Sequence, residues 1–69
     1  MTERLANSIR NAREVYGWTQ AELAARVGVS RKTINTIENG IFIPSTLTAL
    51  KIAEALSRSV EDLFSVTES

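Results

Sequence analysis

The sequence predicts an all-α fold, a compact single domain of five short helices spanning residues 1–69, and three observations carry that expectation. Gly17, Gly28 and Gly40 each follow a segment with helical apolar spacing, where glycine takes the left-handed conformation without a Cβ penalty. A hydroxyl residue suited to capping stands within a few residues of each glycine. No connecting segment has the alternation of a strand.

The first helix is expected over about Thr2–Tyr16, where Leu5, Ile9, Ala12 and Tyr16 fall at steps of four, three and four. Thr19 opens the second, about 20–27, with a capping box in which Glu22 reaches back to the Thr19 amide. Leu23, Ala24 and Val27 form its apolar side. Ser30 caps the third, about 31–39, whose inward residues are Ile34 and Ile37. Ser45, after Pro44, caps a fourth over about 46–56, carrying Ala49, Leu50, Ala53 and Leu56. Ser59 caps a fifth over about 60–65, with Glu61 and Asp62 in its first turn and Val60, Leu63 and Phe64 apolar. Ser57 stands where the other helix ends carry glycine, and a serine at positive φ costs roughly 1 kcal/mol more than glycine there.

Composition removes several classes of function. With no cysteine there is no disulfide framework or thiolate metal site, and with no histidine the usual general base and zinc ligand are gone. The only adjacent carboxylates of note, Glu61 and Asp62, are explained as first-turn acids, so neither an enzyme nor a cofactor is expected. Apolar runs of three residues are too short for a membrane helix or a signal-peptide core, and a cytoplasmic location is the expectation.

The informative stretch is Thr19 to Gly40, TQAELAARVGVSRKTINTIENG. Two short helices joined by Gly28-Val29-Ser30 are what a helix-turn-helix requires, with Val29 as the buried turn residue and Ala24 allowing close approach. At about 100° per residue, Arg31, Lys32, Asn35, Thr36 and Asn39 share the outward side of the third helix, with Thr33 at the edge of the inward side. Two cations, two carboxamides and a hydroxyl without an acid suit base edges and phosphates. The competing reading is a solvated polar face, and the turn and caps weigh against it.

These elements resemble the Cro/CI-type helix-turn-helix regulators, the XRE family of small transcription factors. The matching series is Trp18–Ala24, Val27–Arg31, Thr33-Ile34-Asn35 and Ile37–Gly40, continued by Pro44-Ser45-Thr46, Ala49–Ala53 and Val60–Phe64. It covers roughly residues 5–65. The resemblance implies a lambda-repressor-like fold and binding to a double-stranded DNA operator. By the same resemblance Gln20 bonds a phosphate and braces the first recognition-helix residue. Arg31, Lys32 and Thr36 read base edges, Asn35 is a further candidate reader, and Ser30, Thr33 and Asn39 position the backbone. Ser30 is a cap with or without DNA, and for Thr33 the structural role is favoured. The resemblance also implies an ion pair between Arg13 and Glu38 that orients the recognition helix, desolvation offsetting most of its attraction.

Two segments stand apart from the family pattern. Ile41-Phe42-Ile43 replaces a loop that in relatives often carries basic or polar residues. It is expected to cover the corner between the third and fourth helices, the alternative being contact with a partner, and it implies a shallower salt dependence. Trp18 is expected to lid the groove between the first two helices, with no second aromatic to make a stacking platform. Since one small domain offers few contacts, a homodimer is expected, with its interface in Leu56–Val66, chiefly Leu56, Leu63, Phe64 and Val66. The competing function is a protein-interaction module or antitoxin-like partner. The net charge of zero conceals an asymmetry: residues 1–36 carry a net +3 and residues 52–69 a net −3. That asymmetry forecasts modest non-specific affinity for DNA.

Overall fold

The two ends of the chain meet as strands, which corrects the all-α expectation. The computed structural model describes residues 2–68. In it β1 (Glu3–Asn7) precedes five helices, α1 (Ile9–Val15), α2 (Gln20–Val27), α3 (Arg31–Glu38), α4 (Thr46–Ala55) and α5 (Val60–Leu63), and β2 (Phe64–Glu68) closes the chain. β1 and β2 pair antiparallel, with Leu5 opposite Val66 and Asn7 opposite Phe64.

The first helix starts seven residues later than its spacing suggested, and Asn7 and Ser8 explain why. The Asn7 Oδ1 accepts the Ile9 amide at 3.2 Å, and its Nδ2 donates to the Ile37 carbonyl at 3.0 Å. The Ser8 amide donates to the Leu63 carbonyl at 2.9 Å. Short polar side chains that bond nearby backbone compete with the helix and set its start. Leu5 still packs on the core, but from a strand. At the other end Phe64 leaves α5 at φ −123°, ψ 141°, extended backbone that runs directly into β2.

The caps fall where the sequence places them. Thr19 and Glu22 make both bonds of the capping box, at 3.1 and 2.9 Å. The Ser30, Ser45 and Ser59 hydroxyls accept the amides of Thr33, Thr48 and Asp62, each at 3.1 Å. Gly28 lies at φ +85°, and Ser57 at φ +54° is the one non-glycine at positive φ among the described residues.

Ile9, Leu23, Ile34, Ile37, Ile52, Leu56 and Leu63 are fully buried, with Ala12, Ala24, Val27, Ala53 and Phe64 around them. Deleting one such large side chain costs about 2–5 kcal/mol. On α4 the inward residues include Ile52, while Leu50, expected inside, is exposed. Leu56 and Leu63 retain 1% of their surface and Phe64 9%. Their apolarity is therefore used by the core of the single chain, and of the four residues expected at a dimer interface only Val66 is exposed. Among the described residues no helix is long and apolar enough to cross a membrane.

Candidate nucleic-acid interface

The turn between α2 and α3 is built on one acceptor. The amides of Gly28 and Val29 both donate to the Ala24 carbonyl, at 2.8 and 3.0 Å, which closes α2 through a left-handed glycine. Val29 is half-buried against the core and Ala24 is buried, as a steep helix crossing requires. Ser30 then caps α3, with its hydroxyl also 2.9 Å from the Thr33 hydroxyl. Ser30 and Thr33 thus have local structural work whatever lies outside.

Burial of Ile34 and Ile37 fixes the roll of α3. Arg31, Lys32 and Asn39 are consequently exposed, while Thr33, Asn35 and Thr36 are half-buried. The only acid of α3, Glu38, is turned inward. Its side chain is 4% exposed and meets Arg13, 11% exposed, through Nε at 2.9 Å and Nη2 at 3.2 Å. Arg13 Nη1 donates to the Trp18 carbonyl at 2.7 Å. The bond to Glu38 raises the Arg13 pKa, against the lowering effect of burial, so the guanidinium stays charged. The Arg13–Glu38 bridge between α1 and α3 is present in the structure, and it leaves the outward face of α3 cationic.

The ion pair extends to that face through Gln20. Gln20 Nε2 donates to Glu38 Oε1 at 3.1 Å, and Gln20 Oε1 accepts from Asn35 Nδ2 at 3.3 Å. Asn39 Nδ2 donates to the Asn35 carbonyl at 2.9 Å. Gln20 therefore braces Asn35 and Glu38, where the sequence reading had it bracing the first residue of the helix. A polar recess of about 280 Å³ lies over these groups, with Arg10 on its rim. The chain of bonds from Arg13 to Asn35 crosses three helices, and no local pattern in the sequence announces it.

Two expectations near the site are corrected. Tyr16 does stack on Trp18, with ring centroids 4.4 Å apart, and the Arg26 guanidinium lies 4.0 Å from the Trp18 ring. The Tyr16 hydroxyl donates to the Leu56 carbonyl at 3.1 Å, so the stack ties the end of α1 to the end of α4. The loop Ile41-Phe42-Ile43 does not cover the α3–α4 corner: all three side chains are exposed, Ile41 by 77%. Its backbone is held, because the Ile41 and Phe42 amides donate to the Thr36 carbonyl at 2.9 and 3.2 Å. Among the described residues no group of three or more acidic side chains is placed to hold a metal ion.

Comparison with known proteins agrees with this geometry. The helix-turn-helix family model matches residues 9–63. The chain is 41% identical over 64 residues to the uncharacterised HTH-type transcriptional regulator YgzD of Bacillus subtilis, covering 93% of this chain and 97% of that one. It is 37% identical to antitoxin HipB of Escherichia coli, over 83% of this chain and 65% of the antitoxin. The crystal structure of the restriction-modification controller protein C.AhdI from Aeromonas hydrophila superposes with a TM-score of 0.74. It shares 30% identity, over 78% of this chain and 82% of the controller. With the turn, the caps and the cationic helix face in place, the chain belongs to the Cro/CI-type, or XRE, family of helix-turn-helix DNA-binding transcriptional regulators, and is not an enzyme.

Proposed function

We propose that this chain binds a palindromic double-stranded DNA operator as a homodimer, with α3 in the major groove. The observation that carries this reading is the division of charge on α3. Arg31 and Lys32 stand exposed at its first turn, while its one acid is drawn inside onto Arg13. A helix so arranged presents donors to guanine and attraction to phosphate, with nothing on the same face to repel the duplex.

In this reading Arg31 and Lys32 read base edges and Thr36 lies beside them. Asn35, held by Gln20, offers its remaining amide hydrogen or its carbonyl to an adenine edge. Gln20 keeps one N–H for a phosphate, and Asn39, Ser30 and Thr33 flank the backbone. Two copies place their recognition helices about 34 Å apart, one turn of DNA. With Leu56, Leu63 and Phe64 committed to the core, the partner surface is drawn from exposed apolar residues. These are Val66 on β2 and Leu50 on α4, the latter beside a groove formed with Leu5, Ala49 and Val60.

The experiment is selection from a random duplex pool followed by sedimentation of the complex. Recovery of a two-fold symmetric sequence bound by two chains supports the reading. A monomer both free at micromolar concentration and on the selected duplex overturns the dimer. Failure to enrich any sequence favours the competing reading, a protein-interaction module of the antitoxin type.

A further inference from the structure

The hydroxyl hydrogen of Thr36, on the outward side of α3, is already spent. Thr36 Oγ1 donates to the Lys32 carbonyl at 3.0 Å and lies 3.1 Å from the Thr33 carbonyl, so its hydrogen stays within the helix. Thr33 Oγ1 is engaged with the Ser30 cap at 2.9 Å. Thr36 thus has no free hydroxyl hydrogen to give to a guanine or to the thymine carbonyl. What Thr36 offers outside, besides an acceptor oxygen, is its γ-methyl group.

That methyl has apolar company. Ile41 and Phe42, exposed, are fixed beside α3 by their two amide bonds to the Thr36 carbonyl. Together with Lys32, Thr33 and Thr36 they line a notch of about 310 Å³ whose surface is mostly apolar. The Lys32 ammonium rides on a hydrocarbon stem, which leaves the stem to the notch and the charge to solvent. With α3 in the major groove, a notch beside Arg31 and Lys32 would face a polyanion, where purely apolar partners are scarce. The major-groove edge of the four bases carries one apolar group, the thymine C5-methyl.

We propose that this notch takes a thymine methyl group, so that Thr36, with Ile41 and Phe42, specifies thymine at one position of each half-site by apolar contact. This rests on the reading that α3 enters the major groove. It gives the apolar loop a role in sequence reading where a basic loop would only add phosphate contacts.

The test uses the full-length chain and the duplex selected from a random pool. Each thymine in turn is replaced by deoxyuridine, which removes only the 5-methyl group. The expected result is one position per half-site at which affinity falls about fourfold, the worth of one buried methyl-sized group. Thr36→Val keeps the methyl and is expected to keep that preference. Thr36→Ser keeps the hydroxyl and its bond to the Lys32 carbonyl but lacks the methyl, and is expected to bind the two duplexes equally. Equal binding of thymine and deoxyuridine duplexes by the wild type at every position overturns the proposal, as does a preference that survives Thr36→Ser or is lost in Thr36→Val. The outcomes separate from the underlying reading, because a wild type that enriches no duplex at all refutes DNA recognition itself.

Discussion

Replacing Arg13 by alanine tests how the recognition helix is held. The substitution removes two hydrogen bonds to the Glu38 carboxylate and one to the Trp18 carbonyl. Glu38 is left 4% exposed, with Gln20 as its one remaining side-chain partner. Stranding a buried charge in this way costs about 3–5 kcal/mol. A domain of this length has roughly 3–10 kcal/mol in total, so Arg13→Ala brings it close to unfolding. At about 4–8 °C per kcal/mol, the melting temperature drops by well over 10 °C. Glu38→Gln is milder, about 1–3 kcal/mol, because the amide still offers an acceptor to Arg13. Replacing both partners, Arg13→Met with Glu38→Leu, is expected to recover wild-type stability or exceed it. The double variant should nevertheless bind DNA less well, since Gln20 and Asn35 lose their anchor. The assay is thermal and urea unfolding followed by circular dichroism, with DNA affinity measured on each folded variant. A cost below about 1 kcal/mol for Arg13→Ala would refute the reasoning, as would a double variant that is restored in stability and unchanged in DNA affinity.

The remaining predictions concern caps and turns. The bonds Glu22 makes with the Thr19 backbone and hydroxyl hold its carboxyl below the ordinary pKa. A group depressed in the folded state stabilises above its unfolded pKa and loses that contribution as pH falls through its folded value. Glu22→Gln should therefore lower the melting temperature at neutral pH, the difference from wild type shrinking as pH falls into the acid range, read by calorimetry across pH. Ser57→Gly is expected to stabilise by up to about 1 kcal/mol, since Ser57 sits at φ +54° and the gain is reduced by the greater entropy of the unfolded chain. Gly28→Ala, at φ +85° with open space for its Cβ, should cost about 1–2 kcal/mol through backbone strain alone. Both changes are read from urea midpoints.

Local features were legible in the sequence and long-range ones were not. Thr19, Ser30, Ser45 and Ser59 act within four residues of themselves, so their caps could be read from spacing, as could the positive φ of Gly28 and Ser57. The hairpin joins Glu3 to Glu68, and no periodicity within either segment specifies that partner. Leu5 and Ile9, four apart, suit a helix equally well, and the bonds of Asn7 and Ser8 to local and distant backbone break the pattern. Phe64 and Val66 do alternate, a weak strand signal masked by the helical run before them. The same run made Leu56, Leu63 and Phe64 look surplus to a small core, when the core uses all three. On α3 the exposed cations were evident from the angle per residue. That Thr36 spends its hydroxyl inside the helix, and that Gln20 bridges Glu38 to Asn35, depend on rotamers that spacing does not encode.

If the exposed side of α3 reads DNA sequence, removing Arg31 must weaken binding to one sequence more than to another. The affinities of wild type and Arg31→Ala are measured at fixed salt on the selected duplex and on a scrambled duplex of equal length. Wild type is expected to prefer the selected duplex by at least about a thousandfold. Arg31→Ala is expected to lose about 1–3 kcal/mol on that duplex, with a much smaller loss on the scrambled one. Equal losses on both duplexes would reduce Arg31 to a phosphate contact, and no loss on either would mean that this side of α3 does not read DNA.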